Sequence, residues 1–218
     1  MTQDIIFHTA GWVKKRLAQA EGGHDWWHIH RVWQVARHIG LQEGADLMVV
    51  ELAALLHDIA DAKFYAGDET IGPRIAREYL QTHEVHPEVV NHVILIMENM
   101  SFKQEFQGRQ FESLELKVVQ DADRLDAIGA IGIARAFNFG GFKQRPLYDP
   151  DILPNLIQTK EEYKQSRAPT INHFYEKLLL LKDKMLTPTG KILAEERHQF
   201  LELFLQQFFK EWGDSGKF

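Results

Sequence analysis

An apolar segment, Leu52-Ala-Ala-Leu-Leu, ends in the adjacent pair His57-Asp58. A carboxylate taken out of water without a partner is costly, so Asp58 must be paired, solvated or bound to a metal. A helix-end hydrogen bond would satisfy the pair, and taken alone the pair favours that explanation. The same anomaly occurs twice more. His28 falls on the line His28, Val32, Val35, Ile39, an otherwise apolar helix face, and Asp121, Asp123 and Asp126 punctuate a third apolar helical segment. Asp123, Ala127 and Ala130 share a face that small residues leave open to a close neighbour. Singly, these are better explained as a core histidine bonded to a carbonyl, and as Asp121 or Asp123 capping a helix with Arg124 as salt partner. Three coincidences on separate buried helices are harder to dismiss. Together they offer two imidazoles and two carboxylates, a set suited to an octahedral divalent ion with waters in the remaining positions.

Other motifs lead nowhere. His24 and His28 stand at the i, i+4 spacing of zinc peptidase helices, but Asp25 follows the first histidine where the base glutamate should be. His83-Glu-Val-His86 has the wrong spacing for that chemistry, and Thr189-Gly190-Lys191 lacks the rest of a phosphate loop. No serine stands in Gly-x-Ser-x-Gly. His8, His38, His86 and His198 are expected on the surface or at caps.

Composition narrows the chemistry further. The 218 residues contain no cysteine and 11 histidines, which excludes thiol nucleophiles, Fe–S clusters and cysteine-based zinc sites. The net charge of −6, with no basic block, disfavours polymeric nucleic acid as a partner. The N-terminus lacks a basic region followed by an apolar one, and no apolar run approaches a membrane span. A soluble, cytoplasmic protein without a membrane partner is expected.

The residues that could do chemistry must be held by helices, because apolar positions recur at helical spacing almost everywhere. Ile6, Ala10, Val13 and Leu17 form one stripe, stopped by Gly22-Gly23; Ile29, Val32, Trp33, Ala36 and Ile39 form the next, stopped at Gly40. Asp46 is placed to cap a helix over 47–59 that is apolar nearly all round, hence central. Pro87 opens a helix running to about Asn99, and further helices are expected over 114–137, 170–186 and 191–212. Residues 138–154, rich in Gly, Pro and aromatics, read as a long loop, either a lid or a plain surface excursion. The expected architecture is one all-α domain over residues 1–218.

The ordered set His28-x-x-Arg31-Val32, His57-Asp58 and Asp123 within Asp-Ala-Asp-Arg-Leu-Asp-Ala resembles the HD-domain metal-dependent phosphohydrolase superfamily. Within it, Gly23–His28, Ser101-Phe-Lys103, residues 121–137, His173-Phe-Tyr-Glu-Lys-Leu and Ala194-Glu-Glu-Arg-His198 are similar to a bacterial YedJ/YpgQ-like subgroup. The resemblance spans nearly the whole chain. It implies an HD-type helical bundle with one divalent metal on His28, His57, Asp58 and Asp123, manganese first, with Mg, Fe, Ni and Co also compatible. Asp61 stands where relatives carry a catalytic acid, often Glu, and would steer the attacking water. Loosely spaced His83 and His92 are the candidates for a second metal, but one metal is preferred.

The implied activity is hydrolysis of a small nucleotide or phosphate ester, with release of pyrophosphate from nucleoside triphosphates leading. Triphosphate release from deoxynucleotides, 5′-nucleotidase and alarmone hydrolase activity are close alternatives, and a non-catalytic nucleotide- or metal-sensing module is one of another class. Arg31, Lys63, Lys103 and Arg124 are the candidate cations for developing phosphate charge, with helix-surface salt bridging as their ordinary alternative. Tyr148 or Phe142 could stack on a base. The oligomeric state is not indicated.

Overall fold

The structure, a computed structural model, describes residues 2–18, 25–60, 68, 70–100, 111–156 and 166–213. Among the described residues it holds nine α-helices and no strand, the all-α class expected. The chain divides into two compact units, 1–123 and 124–218, and the boundary falls inside a helix just after Asp123.

The first unit contains α1 (Thr2–Arg16), α2 (Trp26–Glu43), α3 (Leu47–Leu56), α4 (Ile71–Thr82), α5 (Pro87–Asn99) and most of α6 (Leu114–Asp126). Apolar nearly all round, α3 has no polar face to give to water, so it becomes the centre against which α1, α2 and α5 pack. Asp46 caps it as expected, accepting from Met48 N and Val49 N. The α2 stripe is buried from Ile29 to Ile39, and Trp33 Nε1 donates to Glu51 Oε2 at 2.7 Å, fastening α2 to α3. Gly40 does not end α2. A Cβ there would lie 3.2 Å from Leu47, so this glycine allows close approach to α3, and the helix runs on to a left-handed cap at Gly44. Ser113 Oγ accepts from Leu116 N at the start of α6, so neither Asp121 nor Asp123 is the N-cap considered above. Gln120 Nε2, donating to Asn99 O at 3.0 Å, ties α6 to the end of α5.

The second unit holds the end of α6, α7 (Gly129–Phe142), α8 (Thr170–Glu176), the 3-10 turns Leu178–Leu180 and Lys182–Lys184, and α9 (Pro188–Trp212). Its core is aromatic: Phe137, Phe174, Phe204, Phe208 and Phe209 pack with ring centroids 5.5–6.0 Å apart.

Four expectations need correction here. The single helix over 114–137 is broken: Ile128 is extended and Gly129 takes φ 73°. Arg135 Nη1 donates to Asp126 O at 3.1 Å and to its buried carboxylate at 2.5 Å, while Arg197 donates to Leu125 O. The two guanidinium groups satisfy carbonyls that a longer helix would have used itself. The helix over 170–186 likewise stops at Lys177 (φ −145°, ψ −56°). Helix α7, conversely, continues to Phe142, into the segment expected as loop. Gly140 allows this, because a Cβ there would sit 2.1 Å from Thr170 Oγ1. His198 is also not a surface residue, being 7% exposed with Nε2 3.3 Å from Glu202 Oε1.

Two glycines separate packing from propensity. A Cβ on Gly132 would lie 2.2 Å from Ala127 O, whereas one on Gly11 meets nothing within 4 Å. In chemical denaturation Gly132→Ala is expected to cost roughly 2–3 kcal/mol, and Gly11→Ala to stabilise by about 0.5–1 kcal/mol.

A pH effect is also built into this unit. Burial, helped by Lys177 and Arg145, pushes the His173 imidazole down to about 4. A depressed folded-state value makes the unfolded chain bind the extra proton. Stability therefore falls as pH drops from about 6.5 to about 4, by up to about 3 kcal/mol through this residue. Denaturation midpoints of His173→Gln should decline less steeply over that window than those of the wild type.

Candidate metal centre

Local rules place the two histidines. Asp25 Oδ1 accepts from His28 N at 2.9 Å, which fixes the first turn of α2 and puts His28 three residues into it, its side chain only 3% exposed. His57 caps the C-terminal end of α3, and Asp58 follows in the turn rather than in the helix expected to continue to residue 59. His57 Nδ1 stands 2.8 Å from Ala54 O. A peptide carbonyl can only accept, so Nδ1 carries the proton and Nε2 presents a lone pair. That Nε2 is buried and has no hydrogen-bond partner.

Asp123 Oδ1, arriving on α6, is 3.5 Å from His28 Nε2 and 3.9 Å from His57 Nε2. The two imidazoles meet edge to face, centroids 5.5 Å apart. His28, His57 and Asp58 each offer an atom within 4.8 Å of the others. Ligands about 2.1 Å from a common ion are about 3 Å apart when adjacent and about 4.2 Å when opposite, so the spacing fits a shared divalent ion with little contraction. An unsatisfied buried nitrogen facing carboxylates is otherwise hard to account for. The group could hold a divalent metal. The Asp123 side chain is 43% exposed, so the cluster is open to solvent on that side.

The three aspartates of α6 divide clearly. Asp126 is paired with Arg135, Asp121 is fully buried, and Asp123 is the one beside the imidazoles.

Several other expected residues have contacts of their own. Arg124 Nη1 donates to Lys184 O at 2.9 Å. Arg31, half-buried one turn after His28, has partners of its own. His83 Nδ1 bonds Tyr79 O and His92 Nε2 bonds Ser113 Oγ. Tyr148 packs its ring against Phe208, Phe209 and Trp212, while Phe142 is 68% exposed. Asp61, Lys63, Lys103 and His24 lie outside the described residues. Asp25 was overlooked as more than a misplaced zinc-motif residue, although Asp-x-x-His before an apolar stripe is a cap signal.

Removal of either an imidazole or the α6 carboxylate should therefore act on metal binding directly. In titrations followed by the EPR signal of free Mn, His57→Ala and Asp123→Ala are expected to weaken binding by about 100-fold or more. His92→Ala should leave it unchanged.

The HD domain family matches residues 26–128, which carry all four clustered residues. The chain is 42% identical over 203 residues to YpgQ of Bacillus subtilis, covering 92% of this chain and 90% of YpgQ. Among solved structures, an HD-superfamily hydrolase from Bacillus thuringiensis aligns with a TM-score of 0.79 at 43% identity, over 98% of this chain and 99% of that one. The crystal structure of B. subtilis YpgQ in complex with ADP aligns with a TM-score of 0.76 at 40% identity, over 97% of both chains. Sequence, architecture and the histidine–aspartate cluster agree, and the chain belongs to the HD-domain family of metal-dependent phosphohydrolases.

Proposed function

We propose that this protein hydrolyses nucleoside triphosphates, releasing pyrophosphate, at the cluster of His28, His57, Asp58 and Asp123. The observation that carries the nucleotide part of this reading is that YpgQ, a relative along nearly its whole length, has been solved with ADP. The cluster supports the metal part. One divalent ion, manganese first and Mg, Fe, Ni or Co otherwise, would acidify a water and polarise a phosphoryl oxygen when bound.

The chain's own groups have separate tasks in this reading. The Ala54 carbonyl keeps the His57 proton on Nδ1, so Nε2 stays available as a ligand. Asp61, three residues after Asp58, receives the proton of the attacking water. Lys63 and Lys103, with Arg31 on α2, oppose charge developing on the phosphates. Arg124 contributes less than its position in the sequence suggests, because one of its N–H groups is committed to Lys184 O.

A nucleotide panel with separate detection of phosphate, pyrophosphate and triphosphate tests the proposal. With Mn-loaded protein, pyrophosphate is the expected product, and Asp61→Asn should lower kcat by about 100-fold or more with little change in Mn binding. Triphosphate as the only product would identify a triphosphohydrolase, and free phosphate a nucleotidase. No turnover with Mn, Mg, Co, Ni or Fe would leave a sensing module.

A further inference from the structure

The cationic residues expected around the cluster leave an acidic protein short of described positive charge there. Helix α1 ends in three basic residues, Lys14, Lys15 and Arg16. Basic residues in a last helical turn ordinarily complement the helix dipole. That explains their charge but not their contacts.

Arg16 Nε donates to Ile59 O at 3.3 Å, one residue after Asp58. Its guanidinium lies 5.5 Å from the centroid of Trp12, which stacks on Tyr79 at 4.2 Å, which in turn meets the His83 ring at 4.3 Å. An exposed arginine is usually free to wander among rotamers. This one is held from two directions, by a carbonyl and by an aromatic column. Among the described residues no carboxylate pairs with it, so both terminal nitrogens remain available as a planar fork. Lys14 reaches the other ligand-bearing element, its Nζ lying 5.9 Å from the ring of Trp27, the neighbour of His28. The last turn of α1 thus bonds the main chain of Ile59, next to Asp58, and lies near the ring of Trp27 on α2.

We propose that Arg16, assisted by Lys14, binds the phosphate groups of the substrate beside the His57–Asp58 turn. The proposal rests on the phosphohydrolase reading of that cluster and adds to it the group that recognises the polyphosphate. Fixing the guanidinium in advance lowers the ordering cost of a bidentate contact with phosphate oxygens. The indole, 5.5 Å from the guanidinium carbon, helps hold the group in one orientation.

The test uses the full chain loaded with Mn, titrated calorimetrically with ADP and, separately, with inorganic pyrophosphate. Arg16 is exposed, so Arg16→Gln should fold, which circular dichroism and the denaturation midpoint will check. Arg16→Gln is expected to weaken both anions by about tenfold or more. Arg16→Lys should fall between it and the wild type, since it keeps the charge and loses the fork. Mn affinity, read by EPR, should be unchanged in both variants. Unchanged anion affinity in Arg16→Gln overturns the proposal. A parallel loss of Mn affinity overturns it too, because Arg16 would then only hold the turn in place. Wild-type protein that binds pyrophosphate through Arg16 but turns over no nucleotide refutes the proposed activity and leaves this site standing. Wild-type protein that binds neither anion refutes the site, whatever its turnover.

Discussion

The hydrogen bond from His57 Nδ1 to the Ala54 carbonyl is the constraint on which the rest of the centre depends. Helix α3 is apolar nearly all round, so it is stable only in the middle of its unit, with its last turn from Ala53 to Leu56 buried. One carbonyl of that turn needs a donor, and the imidazole that follows supplies it. The consequence is chemical. A ring pinned through Nδ1 must present Nε2 as a lone pair, and that nitrogen is buried without a hydrogen-bond partner, 3.9 Å from Asp123 Oδ1. The cost of the orphaned nitrogen is tolerable in a protein that fills the position with a cation. Everything else in the unit can be read as bringing oxygen and nitrogen partners to that point: the Asp25 cap and the Trp33–Glu51 bond set α2, and the Gln120–Asn99 bond sets α6.

Charge arithmetic explains why such a centre suits an acidic protein. With a divalent ion bound, two carboxylates would bring the net charge of the cluster to zero, so long-range attraction for an anionic substrate would have to come from elsewhere. With a net −6, the rest of the chain repels anions at long range. Cations close to the centre, within a Debye length of the bound anion, can offset that repulsion. Arg124 commits one N–H of its guanidinium to a backbone carbonyl, and α1 offers a second source of charge.

Much of this was legible in the sequence, and for identifiable reasons. Helices were visible because their apolar stripes are long and regular, and helix starts such as the Asp46 cap and Pro87 because their chemistry is local. His28, His57 and Asp58 stood out as polar residues on faces that had to be buried. What periodicity could not show were breaks caused by contacts distant in sequence. The α6–α7 break at Ile128 keeps helical spacing on both sides, and it is stabilised by Arg135 and by Arg197, which lies far along the chain. His198 looked like a surface residue because nothing in its neighbours reveals that α9 turns it inward. Arg16 was passed over for a similar reason: its partner is a backbone carbonyl more than forty positions away.

The choice among the three aspartates of α6 shows how tertiary structure resolves what composition leaves open. Each is a carboxylate on a largely apolar helix, and any of them could have faced the imidazoles. Asp126 is taken by Arg135, whose same guanidinium nitrogen also satisfies a freed main-chain carbonyl. Asp121 is fully buried, whereas Asp123 keeps 43% of its side chain in contact with solvent. A carboxylate that shared an ion with exchanging water and an incoming phosphate, as in the proposed function, would need that exposure. Full burial would oppose both, by desolvating the charge and by closing the route through which substrate arrives. Partial exposure is therefore what distinguishes the aspartate suited to chemistry from the two suited to structure.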